Sequence, residues 1–319
     1  MLETISVLTE TKANLDVFSE TLQQLAGTDK DIVVVTSDSR GSGKLVPFGL
    51  KFPQQIVEVG IAEQNLVGVA AGLASTGKKV FAVSPACFLT ARALEQIKND
   101  VAYSDNPVNL IGISAGVSYG ALGSTHHSLH DFAVLRAIHN LIVVAPADNY
   151  ETEEAIRQAA LLEQPVYLRF GKKPMPLLES STPFEFGKGR IIREGKDLAL
   201  IATGETVYPA VQAAEKLERE HQLKVTVVSM HTIKPLDTSL LNKIAGRGMP
   251  IITVEEHSVN GGLGEACASF LLQNQRQVPF KIMGIPDEYT VTGSQAEIFS
   301  HYGLTDRGIS EAALALLDR

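Results

Sequence analysis

The residues best placed to do chemistry lie in the run Val57-Glu58-Val59-Gly60-Ile61-Ala62-Glu63-Gln64-Asn65-Leu66-Val67-Gly68. The run reads as a short buried strand, a tight turn at Gly60, and a helix whose first turn carries Glu63. An acid in a first helical turn complements the helix dipole in any protein. Beside the carboxyl end of a strand in an open α/β sheet, it also stands where ligands bind. The neighbours Ile61, Ala62, Leu66 and Val67 are uncharged and would desolvate the carboxyl, as proton transfer by a side chain requires.

A second group is Thr125-His126-His127 with His130-Asp131. His126 and His130 are spaced as metal ligands on one helical turn. A helix beginning only at Ser128 would leave His126 in a loop, however, and no further ligand cluster accompanies the pair. Surface or capping histidines are the plain alternative, and a hydrogen-bonding imidazole active near neutral pH is the functional one. Ser37-Asp38-Ser39-Arg40-Gly41-Ser42-Gly43-Lys44 follows a strand but is not a phosphate loop, because position 38 is not glycine and Lys44 precedes Leu45. Phe88 opens a helix that would bury Leu94 and Ile97, so on pattern alone it fills core. Gly261-Gly262-Leu263-Gly264 reads as a tight turn into a helix over 263–273.

The elements that must hold these residues alternate. A helix over 12–27 is followed by the apolar strand Ile32-Val33-Val34-Val35, the kind buried on both faces of a parallel sheet. Strand-like runs at 56–59, 80–84, 108–113, 141–145 and 166–170 alternate with helical ones near 62–75, 88–103, 128–138 and 150–163. Pro174, Pro176, Pro183 and Gly187 then break the rhythm. A second set follows, with strands at 198–203, 225–229, 251–254 and 280–285 and helices near 206–220, 237–246, 263–273 and 308–318. Thr203 and Thr206 are its candidate N-caps. The fold class is therefore α/β in two domains, each a mainly parallel sheet flanked by helices: 1–175, a linker at 176–190, and 191–319.

Composition narrows the function. The 319 residues carry a formal net charge of −8, which argues against a nucleic-acid or anionic-membrane surface. Cys87 and Cys267 are the two cysteines, too few for a disulfide framework or a cysteine-rich metal site. The start, Met1-Leu2-Glu3-Thr4, lacks the basic and apolar segments of a signal peptide, and no apolar run reaches membrane-span length. A cytoplasmic protein is expected.

Gly60-Ile61-Ala62-Glu63-Gln64-Asn65 resembles the pyrimidine-domain motif of transketolases. Gly123-Ser124-Thr125-His126-His127-Ser128 with Asp131 and Val134-Leu135-Arg136 extends the resemblance, as does Gly293-Ser294 with Tyr302-Gly303-Leu304-Thr305. It spans nearly the whole chain but only the carboxyl-terminal half of a full-length transketolase. The resemblance implies thiamine diphosphate as cofactor, with Glu63 protonating its aminopyrimidine ring, Asp38 near the cofactor, and Phe88 stacking on the ring. Phe88 is the second of a phenylalanine pair in that family; Pro85 stands where the first would be. Ser42 would touch substrate phosphate, and His126 the substrate's hydroxyl and carbonyl oxygens. The reaction implied moves a two-carbon ketol unit from a ketose to an aldose.

The diphosphate and Mg²⁺ need a Gly-Asp-Gly sequence, which occurs nowhere in this chain. An N-terminal transketolase subunit is the expected partner, in a heterotetramer with two copies of each chain, the active site lying between subunits. Two phosphate contacts of the family fall on Thr11 and Ser114, and a hydroxyl-reading acid falls on Leu122. Arg169 would remain as the anion ligand, with Arg92 and Arg40 in reserve. Such losses imply a ketose other than xylulose 5-phosphate. The alternatives are the β subunit of a 2-oxoacid dehydrogenase E1 component, a deoxyxylulose-phosphate synthase, and a catalytically silent scaffold subunit of the same fold.

Overall fold

The computed structural model of the protein describes residues 12–318. Two mainly parallel sheets organise it, as the alternating pattern implies. The larger has seven strands in the spatial order Thr232–Lys234, Ile142–Val144, Val166–Phe170, Val108–Ile113, Lys79–Pro85, Ile32–Thr36, Ile56–Glu58. Every neighbouring pair is parallel except the first. The smaller sheet orders Phe280–Ile285, Ile251–Ser258, Leu198–Ala202, Val225–Ser229 and Arg190–Arg193, with only the last strand antiparallel.

The strands Ile32–Thr36 and Val166–Phe170 are buried along their whole length, which is why Ile32–Val35 is uniformly apolar. Ile56–Glu58 departs from expectation. It is an edge strand rather than a buried one, and Val57 is exposed. The helix expected over 88–103 is three pieces: Ala86–Arg92, Leu94–Gln96, and a widened turn of π-helix at Ile97–Tyr103. The helix expected from 128 begins at Asp131. Thr203 and Thr206 cap no helix with their side chains; the Thr206 hydroxyl donates instead to the carbonyls of Thr203 at 2.7 Å and Val254 at 2.9 Å.

The halves are stitched together. Thr232–Lys234 comes from the second half yet extends the first sheet, whereas the antiparallel pairing of Pro174–Met175 with Lys12–Ala13 lies within the first half. One apolar core runs from Val35 and Leu66 through Leu135 to Met230 and Ile251. Among the described residues, no helix is long and apolar enough to cross a membrane.

Candidate active site

The carboxyl ends of the parallel strands form the rim on which the site is built, where the βα turns present side chains and backbone N–H groups. After Ile56–Glu58 the chain turns at Gly60, whose φ of +73° is the left-handed conformation that favours glycine. Helix Glu63–Ala74 then begins at Glu63 itself. Its carboxylate is 4% exposed and accepts both of its hydrogen bonds from Arg92 Nη1, each at 3.0 Å.

Arg92 ends the helix Ala86–Arg92, and Phe88 lies one turn earlier on the same face. The guanidinium carbon sits 4.3 Å from the centroid of the Phe88 ring. Phe88 also meets His126, with centroids 5.2 Å apart and the rings edge to face. His126 is held by Tyr119, also edge to face at 5.3 Å, and by a 3.0 Å contact between Nδ1 and the Thr125 hydroxyl. Lys172 Nζ closes the row, 3.8 Å from the Tyr119 ring centroid. Partial burial lowers the Lys172 pKa from its ordinary value. Glu63, Arg92, Phe88, His126, Tyr119 and Lys172 are thus one continuous line of contacts.

Asp38 and Ser42 occupy the loop after Ile32–Thr36. Glu58 joins that loop to the Glu63 turn, accepting from Asp38 N at 2.6 Å and Gly60 N at 3.0 Å, while Arg40 Nε stands 3.4 Å from its other oxygen. Asp38 has a φ of +52°, an uncommon conformation for a side-chain-bearing residue and one that aspartate tolerates better than most. The Ser42 hydroxyl donates to the Ser39 carbonyl at 3.3 Å.

Arg169, the anion ligand that the resemblance implies, lies away from this row. Its guanidinium is buried at the contact between the two halves and does not join the row. Nη1 donates to Asp131 at 2.8 and 3.1 Å, Nη2 donates to the Glu256 carbonyl at 2.7 Å, and the group stacks 4.1 Å from the Phe132 centroid. Of the residues replacing family contacts, Ser114 is fully buried at a φ of +54° and Leu122 is exposed. Thr11 lies outside the described residues.

The histidines divide. His127 is buried, with Nε2 donating to the Gly120 carbonyl at 2.9 Å and Nδ1 accepting from the Thr290 hydroxyl at 2.7 Å. Burial lowers its pKa, so it stays the neutral imidazole these partners need. It pins a loop of the second domain to the segment that carries His126. His130 precedes the helix Asp131–Arg136 and meets the Thr90 hydroxyl at 3.3 Å, apart from His126. Among the described residues, no group of three or more histidine, cysteine, aspartate or glutamate side chains is arranged to hold a metal ion. Sequence reasoning kept Arg92 only in reserve and missed Tyr119 and Lys172. The four-residue step from Phe88 to Arg92 was a usable signal; Tyr119 and Lys172 meet His126 only through the fold.

The fold and site define a class of two-domain α/β chains with a pyrimidine-binding half. Residues 10–176 match the pyrimidine binding domain of transketolase, and residues 187–309 match the transketolase C-terminal domain. The chain belongs to the transketolase family, as the C-terminal subunit of a two-chain transketolase. It is 49% identical over 304 residues to a subunit of the apulose-4-phosphate transketolase of Phocaeicola vulgatus, covering 95% of this chain and 96% of that one. It is 38% identical to the putative transketolase C-terminal section of Methanocaldococcus jannaschii, covering 92% and 93% of the two chains. A solved split-gene transketolase, an inactive β4 tetramer, superposes with a TM-score of 0.86 at 35% identity, covering 97% of this chain and 99% of that one. Against the 1-deoxy-D-xylulose-5-phosphate synthase of Halothermothrix orenii the identity is 37%, but the match covers only 48% of that longer protein.

Proposed function

We propose that this chain supplies the pyrimidine side of the active site of a thiamine-diphosphate-dependent transketolase, which moves a two-carbon ketol unit from an anionic ketose to an aldose. The observation that carries this is that one guanidinium, that of Arg92, bridges a buried carboxylate, Glu63, and an aromatic ring, Phe88. The donor set fits an aminopyrimidine, since a flat, N–H-bearing cation, the Arg92 guanidinium, takes both contacts at once.

When bound, thiamine diphosphate supplies a nucleophilic carbon and the electron sink that ketol transfer needs. The protein's share is binding, orientation and proton handling. Glu63 would hold the proton shared with the ring nitrogen, Phe88 would offer its face, and Asp38 would stand on the adjoining rim. His126, fixed by Phe88, Tyr119 and Thr125, presents an imidazole to the substrate's oxygens, and Ser42 a hydroxyl. Lys172 rather than Arg169 is the cation for the substrate's anionic group, because Arg169 Nη1 is engaged by Asp131 and Nη2 by the Glu256 carbonyl.

The diphosphate and Mg²⁺ ligands belong to an N-terminal partner subunit, in a complex with two copies of each chain. Its place is the cytoplasm, where the free, buried Cys87 and Cys267 stay reduced. The donor is a ketose phosphate, and apulose 4-phosphate, the sugar in the names of two relatives, heads the candidates.

The test is reconstitution with the N-terminal subunit, thiamine diphosphate and Mg²⁺, followed by turnover of apulose 4-phosphate and xylulose 5-phosphate. Glu63→Gln is expected to lower turnover by about 10²-fold or more, the scale of general acid–base effects. Near-normal turnover by that variant removes Glu63 from its role, and no turnover of any ketose by the wild-type pair favours the silent-scaffold alternative.

A further inference from the structure

Glu63 and Phe88 make a slot for one planar cation, and the slot is filled by the chain itself. Arg92 Nη1 is 3.0 Å from each Glu63 oxygen, while its guanidinium carbon is 4.3 Å from the Phe88 ring centroid. A guanidinium and a protonated aminopyrimidine share what this slot reads: a flat π-system, a delocalised positive charge, and N–H groups along one edge. The two cannot be present together. Glu63 is almost wholly buried and its carboxylate has no other hydrogen-bond partner among the described residues, so its charge would be left uncompensated without Arg92. Arg92 itself is half exposed, at the end of a seven-residue helix, and able to rotate away into solvent.

We propose that Arg92 is the resident occupant of the pyrimidine subsite: it fills the Glu63–Phe88 slot in the free subunit and leaves when the cofactor's pyrimidine enters. This rests on the functional reading above and adds a competition to it. The cofactor binds only the fraction of molecules whose slot is open, so the apparent affinity carries the cost of displacing Arg92. The same exchange spares the lone subunit an unpaired buried carboxylate before its partner is present.

Two measurements test this, neither of them an activity. In the first, the full chain alone is melted in low millimolar guanidinium chloride and in sodium chloride of equal ionic strength. Arg92→Ala is expected to gain melting temperature in guanidinium relative to sodium, because the free ion refills the vacated slot, and the wild type is expected to gain nothing. In the second, thiamine diphosphate is titrated calorimetrically into the reconstituted pair with Mg²⁺. Arg92→Ala is expected to tighten the apparent Kd by about tenfold, since the internal competitor is gone. Arg92→Met, which keeps an apolar stem on Phe88 but loses the charge, is expected to tighten it as well.

No guanidinium effect on Arg92→Ala overturns the slot. Equal or weaker cofactor binding by both variants, with a wild-type pair that binds normally, overturns the competition and leaves the functional reading standing. A wild-type pair that binds no thiamine diphosphate overturns the functional reading and this inference together.

Discussion

Asp131 and Arg169 meet in a buried ion pair, with Nη1 2.8 Å from Oδ1 and 3.1 Å from Oδ2. Asp131 also accepts from the Tyr167 hydroxyl at 2.8 Å, and His257 Nε2 stands 3.8 Å from it. Burial opposes ionisation of Asp131, but the Arg169 charge beside it prevails and holds the carboxyl below its ordinary range. Since Arg169 Nη2 reaches across to Glu256 of the second domain, the pair also braces the contact between the two halves.

Arg169→Ala is therefore expected to be a stability variant rather than a substrate-binding one. Removing one partner of a buried pair leaves the other charge uncompensated, at about 3–5 kcal/mol. Chemical denaturation of the chain measures it, with Arg169→Met paired to Asp131→Leu as the apolar replacement that recovers part of the loss. A normal unfolding midpoint for Arg169→Ala, together with a raised KM, would return Arg169 to the substrate.

The buried contacts of Arg169 were not legible in the sequence, for a physical reason. Nothing local distinguishes a strand arginine aimed at the rim from one aimed between domains. Its partners are 38 and 87 residues away. What was legible was local: the uninterrupted apolar run of Ile32–Val35, the Gly60 turn, and Glu63 at the head of its helix. Short edge strands were not. Arg190–Arg193 alternates buried and partly exposed residues, and Thr232–Lys234 pairs with the other half's sheet, so neither carries the long apolar signature of a central strand. The piecewise helix after Phe88 was hidden too, because residues 97–103 keep an amphipathic pattern through the widened turn.

Lys172 is expected to carry the anion contact. It leans on Tyr119, which in turn packs on His126, so its ammonium stands at the end of the row that begins with Glu63. In the reconstituted pair, Lys172→Met should lower kcat/KM for a ketose phosphate by about 1.5–3 kcal/mol, as for a hydrogen bond to a charged group. The loss should appear in KM and weaken with added salt. The corresponding unphosphorylated ketose should be turned over equally by variant and wild type. An equal loss on both sugars would make Lys172 a support for Tyr119 rather than an anion ligand.

Glu205 and Glu256 face each other across Gln295, whose Nε2 donates to Glu205 Oε2 at 2.8 Å and to Glu256 Oε1 at 2.9 Å. Burial, and then the neighbouring Glu256 carboxylate, raise the Glu205 pKa from 4.5 to about 8, with the Gln295 hydrogen bond, then Lys173 and Arg169, pulling the other way. Between those two values the folded protein holds a proton that the unfolded chain has released. Stability from this group is therefore fully present below pH 4.5, falls as pH rises through the window, and levels off above about pH 8. Glu205→Gln keeps the hydrogen-bonding shape without the titration. Thermal unfolding of both proteins from mildly acidic to alkaline pH should show the wild type losing stability relative to the variant as pH rises. The buried His231 and His257, whose pKa values fall to about 3 and 4, lower stability as pH drops below 6.5, but they do so in both proteins and cancel in the difference. A difference that stays constant across that range would mean that Glu205 is ionised throughout, and that the pair is held by Gln295 and Arg169 without a shared proton.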